Sequence, residues 1–282
     1  MRIREFGDDP DVAVVAAVHG DEPCGPQAVE ELLADPPAFD RGVKFVVANE
    51  RALERDVRYV DDDLNRSFPG DADAESHEKR LAADLLAELE GCTTLSLHST
   101  QSYADPFALV DAVSPETAAV CSRLPVDAVV ETDAYAEGRL IDYPGTVEVE
   151  CGRQWSESAA RNARDVVEAF LGATGVLPSA AADPRDVPVF RMTGRVPKAA
   201  ADDYEVFVEN FEEVPRGTQF AAVDGDAEVA EESFYPILMS AEGYERVFGY
   251  AGHRVGRLGD VTEGQSSRGA SSTSVRSRSS MQ

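Results

Sequence analysis

Lysine is nearly missing from this chain: of 26 basic residues only Lys44, Lys79 and Lys198 are lysine, set against 53 carboxylates and a formal charge of −27. Such an excess of negative charge argues against a nucleic-acid partner, whose phosphates would be repelled. Acidic excess with scarce lysine resembles the proteins of salt-loving microbes, so a halophilic source is expected. In about 1 M salt the Debye length shrinks to ~3 Å, and self-repulsion is screened. Long apolar runs are missing too: no stretch approaches the ~18–20 residues of a membrane span, so no membrane partner is expected. The opening Met-Arg-Ile-Arg-Glu-Phe-Gly-Asp-Asp-Pro lacks the apolar core of a secretory signal, and a cytoplasmic address is expected. Cysteine is sparse. Cys24, Cys92, Cys121 and Cys151 form no C-x-x-C pair, which disfavours a disulfide framework and suggests free thiols.

What is present is a globular composition, 43% apolar over 282 residues, enough for one substantial core or a core and a smaller companion. Up to about residue 175, strand-like and helix-like patterns alternate, the signature of an α/β layer fold with a mainly parallel sheet. Strands are expected at Val12–Val18, Val43–Ala48, Thr93–His98, Pro106–Val110, Ala128–Glu131 and Thr146–Cys151. Helices are expected at Gly25–Leu33, Glu75–Glu90, Pro115–Arg123 and Glu157–Leu171; in the second, Leu81, Leu85, Leu86 and Leu89 share one face. This defines an expected α/β domain over residues 1–176. Leu177–Arg185 reads as a linker, and residues 186–256 read as a small β-rich domain. The Ser/Arg-rich stretch 264–282 cannot bury a core and is expected to be disordered.

Histidine occurs only four times, so each imidazole can be weighed. Val18-His19-Gly20-Asp21-Glu22 closes an apolar strand and sets an imidazole three residues from a carboxylate. Zinc takes nitrogen and carboxylate oxygen ligands, and a catalytic zinc keeps three protein ligands. His98 ends a second apolar strand, and ligands of open α/β sheets gather at the carboxyl ends of strands. Singly, each histidine could be a satisfied core residue; together with Glu22 they suggest a metal. His77 and His253 read as surface residues. Arg58, Asn65 and Arg66 lie in Arg58-Tyr-Val-Asp-Asp-Asp-Leu-Asn-Arg-Ser-Phe-Pro-Gly70, where they could hold a substrate carboxylate or simply pair with Asp61–Asp63. In Gly145-Thr-Val-Glu-Val-Glu-Cys-Gly152, period-2 alternation puts Glu148 and Glu150 on one face, and either could serve as a general base.

The set His19-Gly-Asp-Glu22, Asp63-Leu-Asn-Arg-Ser-Phe-Pro-Gly70, Leu97-His98 and Glu150-Cys-Gly152 resembles the succinylglutamate desuccinylase/aspartoacylase family, on the zinc carboxypeptidase-like fold, over roughly residues 10–250. The resemblance implies one zinc ion per chain held by His19, Glu22 and His98, with Glu150 as base and Arg58 polarising the scissile carbonyl. It implies Asn65, Arg66, Arg139 and Tyr244 as substrate-binding residues and a small acidic N-acyl amino acid as substrate. Alternatives on the same fold are a carboxypeptidase, another amide hydrolase, or a non-catalytic binding homologue. The sequence departs from the family at Ser96, where Asp-Leu-His is usual, and at Asn49-Glu50, where relatives read Asn-Pro. An aspartate two residues before a metal-binding histidine would orient its ring, and Ser96 removes that carboxylate.

Overall fold

The computed structural model describes residues 1–135 and 137–260, so the Ser/Arg-rich stretch lies outside the described residues. The order of elements is β1 (Arg2–Phe6), β2 (Val12–Ala16), α1 (Cys24–Ala34), β3 (Val43–Val47), α2 (Glu50–Leu53), α3 (His77–Leu89), β4 (Thr93–Thr100), β5 (Phe107–Val110), α4 (Pro115–Cys121), β6 (Val129–Glu131), β7 (Thr146–Arg153) and α5 (Glu157–Ala173). There follow β8 (Pro188–Pro197), β9 (Tyr204–Val206), β10 (Gln219–Val223), β11 (Asp226–Val229), β12 (Tyr235–Ile237) and β13 (Val247–Arg257).

Ten strands form one mixed sheet in the order β1-β3-β2-β4-β7-β5-β6-β8-β13-β12. The pairs β2/β3, β2/β4, β4/β7, β5/β6 and β6/β8 are parallel. Every residue of β2 is buried, as an apolar run covered on both faces should be. Alternation then divides it. Val12, Val14 and Ala16 join a core with Ala28 and Val29 of α1 and Val166 and Phe170 of α5. Ala13 and Val15 face the opposite side, where Leu81, Leu85 and Leu89 of α3 pack. Burying one such leucine contributes ~1.5–3 kcal/mol.

This division positions the chemistry. On β4, Leu95 and Leu97 enter the α1/α5 core; on β7, Val147, Val149 and Cys151 do the same. Ser96, His98, Glu148 and Glu150 therefore turn to the other face, in parallel register with Ser96 beside Glu148 and His98 beside Glu150. The mainly parallel α/β architecture expected from the sequence is present, and a separate antiparallel sheet, β11-β10-β9, lies in the C-terminal part.

The expected boundary at 177–185 falls inside one continuous sheet rather than between two, because β8 pairs in parallel with β6. β13 falls largely within the stretch expected to be β-rich, but no individual strand is marked there by the sequence. It carries Gly249, Gly252 and Gly256, and its register against β8 shifts at three places, so no period-2 pattern survives in its sequence. Among the described residues, no helix is long and apolar enough to cross a membrane. The four cysteines are free and buried.

Candidate active site

The strand β2 ends at Ala16, and Ala17 adopts φ +54°, a left-handed conformation costly for a residue with a side chain. The chain then turns sharply and delivers His19 and Glu22. Gly20 is required here: a Cβ would lie 2.1 Å from the Ala52 carbonyl carbon in α2. That close approach lets the Gly20 amide donate to the Arg58 carbonyl at 3.1 Å, fastening the His19 turn to the arginine loop.

Glu22 is the hub. Its Oε1 lies 2.8 Å from His19 Nδ1 and its Oε2 lies 3.0 Å from His98 Nδ1. Oε2 also accepts from the Ser99 amide, and Oε1 from Arg58 Nη1 at 3.2 Å. Burial alone would raise the Glu22 carboxyl, but the two imidazoles outweigh it and hold the group well below its ordinary value. Burial likewise opposes charge on His98, yet Glu148 and Glu22 push its imidazole up to about 10.

One ligand atom from each of His19, Glu22 and His98 falls within 4.8 Å of the others. Ligands bound to zinc at 2.0–2.2 Å in tetrahedral geometry stand roughly 3–3.5 Å apart, so small side-chain adjustments suffice. The donor set fits zinc chemically as well: two nitrogens and a carboxylate oxygen, with both Nδ1 atoms facing inward. The outer nitrogens are engaged elsewhere. His19 Nε2 meets Asp63 Oδ1 at 3.1 Å, and His98 Nε2 meets Ser96 Oγ at 3.0 Å. Such outer partners fix ring orientation and tautomer.

The three residues open into a cavity of about 480 Å³ that is also lined by Arg58, Asn65, Arg66, Arg139, Glu148, Glu150 and Tyr244. All nine site residues expected from the sequence line this one cavity, with the rival Glu148 among them. Arg58 bridges Glu22 and Asp63, with Nε 3.2 Å from Asp63 Oδ2. Those carboxylates overcome its burial and raise its pKa. Asp63 is held below its ordinary value against the cost of burial by His19 and Arg58.

Arg139 is buried, donates from Nη2 to Tyr250 Oη at 2.9 Å, and has a buried Nε without a partner. Gly138, at φ +78°, brings it beside Arg66; a Cβ there would lie 3.0 Å from the Arg66 carbonyl oxygen. Desolvation and the neighbouring Arg139 press Arg66 below its ordinary value. Two adjacent guanidiniums facing a cleft favour an anion between them. The Tyr244 ring packs edge-on against Tyr250, with centroids 6.2 Å apart, and burial raises its hydroxyl pKa.

Asn65 is less free than the sequence suggested. Its Nδ2 donates to Glu148 Oε2 at 3.1 Å, and its Oδ1 accepts from the Leu140 amide at 3.0 Å. The two glutamates of β7 also differ. Glu148 is engaged by Asn65 and lies 3.7 Å from His98 Nε2, whereas Glu150 Oε2 is buried with no partner. Burial, reinforced by Glu22 and Glu148, pushes the Glu150 carboxyl up to about 8.

Sequence reasoning missed Asp63 as the partner of His19, Tyr250 as the partner of Arg139, and Glu78. Glu78 is fully buried at the start of α3, and it accepts from Asn49 Nδ2 and from the Val60, Asp61 and Asp62 amides. It clamps the loop that carries Arg58 and Asp63. A glutamate at an acidic helix start gives no sequence signal of that role.

An α/β sheet with a buried His/Glu/His cluster at its strand ends and arginines across the cleft defines a candidate metallohydrolase. Residues 8–173 match the succinylglutamate desuccinylase/aspartoacylase catalytic domain. The chain belongs to the succinylglutamate desuccinylase/aspartoacylase family. It is 32% identical over 97 residues to a probable aspartoacylase of Prochlorococcus marinus, covering 32% of this chain and 33% of that protein. It is 35% identical over 83 residues to an N-acyl-aromatic-L-amino acid amidohydrolase (carboxylate-forming) of Xenopus tropicalis, covering 26% and 27% respectively. These matches span about a third or less of the curated relatives' length. Murine aminoacylase 3 shares the fold, with a TM-score of 0.72 at 19% identity over 89% of this chain and 97% of that one.

Proposed function

We propose that this protein is a zinc-dependent amidohydrolase that cleaves an N-acyl amino acid into a carboxylic acid and a free amino acid. The observation that carries the reading is the meeting, in one cavity, of a three-ligand cluster, an unpartnered buried carboxylate and two adjacent arginines. His19, Glu22 and His98 would hold the zinc, which supplies Lewis acidity that lowers the pKa of water to about 7 and polarises a carbonyl oxygen.

Glu150 Oε2 takes the proton from the attacking water as its oxygen bonds to the amide carbon. With a dication held by His19, Glu22 and His98, Glu150 would be drawn back toward its ionised form, the form able to accept a proton. Arg58, whose Nε and Nη1 are held by Asp63 and Glu22, keeps its remaining guanidinium face for the oxygen on which negative charge develops. Glu150 then returns the proton to the amine nitrogen as the C–N bond breaks. Arg66 and Arg139 hold the substrate's carboxylate, which the negative field of the whole protein would otherwise repel. Asn65 contributes by fixing the backbone next to Arg139, and Tyr244 closes the same end of the cleft.

The test is a hydrolysis screen of N-acetyl, N-formyl and N-succinyl amino acids at molar salt, read by release of free amine. Turnover is expected for N-acyl amino acids and not for the corresponding amides that lack the carboxylate. Equal turnover of both would overturn the arginine assignment. Release of C-terminal residues from peptides alone would move the protein to a carboxypeptidase.

A further inference from the structure

The two imidazoles share an inner partner, Glu22, but not an outer one. His19 Nε2 meets the carboxylate of Asp63 at 3.1 Å. His98 Nε2 meets only a hydroxyl at hydrogen-bond distance, Ser96 Oγ at 3.0 Å. A second carboxylate nevertheless stands on that side: Glu148 Oε2 is 3.7 Å from the same nitrogen. Glu148 and Ser96 are both buried and lie side by side in the β4/β7 register. A buried carboxylate needs a positive partner, and among the described residues its only ion pair is with His98. The Asn65 amide steadies it at 3.1 Å.

We infer that Glu148 is a positioning residue for the metal centre: it supplies from β7 the outer carboxylate of His98 that residue 96 of β4 does not. The division of labour is simple. With Nδ1 turned to the metal, His98 Nε2 carries the proton and donates it to Ser96 Oγ, which fixes the ring plane. Glu148 supplies the negative charge that makes the imidazole a better ligand. It also links the metal side of the cleft to the substrate side, because Asn65 Oδ1 holds the Leu140 amide next to Arg139. The two glutamates of β7 then have separate tasks, Glu148 toward the ligand and Glu150 toward the reacting water.

This inference rests on the zinc reading, and zinc retention separates the two. The measurement is loss of zinc from the full-length folded protein to an excess of chelator, with the fold followed by circular dichroism. Glu148→Gln keeps the shape and the acceptor for Asn65 and is expected to release zinc ~10–100-fold faster than wild type. The same change at Glu150 is expected to leave release unaltered. The double variant Ser96→Asp/Glu148→Gln returns a carboxylate to the other strand, and its release rate should come back to within a few-fold of wild type. Wild-type zinc retention in Glu148→Gln would overturn the inference, as would failure of the double variant to recover. Should Glu148→Gln not fold, Ser96→Asp alone decides. With Glu148 already supplying the charge it brings no gain, whereas tenfold slower release would show that His98 had lacked an outer carboxylate. A wild-type protein that binds no zinc would overturn both this inference and the proposed function.

Discussion

The two sides of the candidate metal centre are supported in different ways. His19 leans on Asp63, which comes from a loop; that loop is clamped to α3 by Glu78 and fastened to the His19 turn by the Gly20 amide. His98 leans on groups fixed by strand geometry: Ser96 two residues back on β4, and Glu148 across the β4/β7 register. A loop can place a carboxylate at full hydrogen-bonding contact, but it needs an independent clamp. A register places neighbours by strand pairing, with Asn65 steadying Glu148 at 3.1 Å, and leaves the longer 3.7 Å separation from His98.

The largest effect is expected where the strand-built side meets the reaction. Glu150→Gln should lower kcat by about 10²–10⁴-fold while zinc content stays at the wild-type value. If another substitution on β7, Glu148→Gln, has that signature instead, the two glutamates exchange roles. Next comes the outer support of each imidazole. Asp63→Asn should weaken zinc binding ~10–100-fold. Ser96→Ala, which removes one neutral hydrogen bond worth about 1 kcal/mol, should weaken it only about fivefold. Equal losses in a chelator competition would erase the contrast between the two sides.

On the loop-built side, Arg66→Ala should raise KM for acidic substrates about tenfold with a smaller change in kcat, because it removes one of two guanidiniums. An unchanged KM would remove Arg66 from the substrate. The smallest effect on chemistry, and the clearest on stability, belongs to Glu78. Burial would raise its carboxyl, but the amides of Val60, Asp61 and Asp62 and the side chain of Asn49 outweigh this and lower it from 4.5. A depressed folded value means that its stabilisation is present above pH 4.5 and is lost as pH falls through the lower folded value. Glu78→Gln is therefore expected to cost ~1–3 kcal/mol at neutral pH, with the gap to wild type closing in acid. A gap that stays constant down to acid unfolding would show that the clamp does not depend on the carboxylate charge.

The same contrast explains what could be read from the sequence. The His19-Gly-Asp-Glu22 turn and the Asp63-Leu-Asn-Arg66 loop are contiguous motifs, so the residues that meet in the cavity could be picked out from the sequence. The strand ends carrying His98 and Glu150 were legible too, since alternation is a local property. The partners that depend on register or on bulged strands were not. Nothing local pairs Ser96 with Glu148, and Tyr250 sits on β13, whose shifted register hides its periodicity. Asn65 looked like a free substrate donor because its neighbours, Glu148 and the Leu140 amide, lie 83 and 75 residues away. The continuity of the main sheet through β8 was obscured by the Pro- and Ala-rich stretch before it.

The most direct test of the metal-centred account is a zinc titration of metal-stripped protein, reading amine release from an N-acyl amino acid at molar salt. Activity is expected to rise from background and to reach a plateau at one zinc per chain, with His98→Ala giving neither binding nor turnover. Full activity in the stripped protein, or stoichiometric zinc binding with no amine released from any N-acyl amino acid, would contradict it.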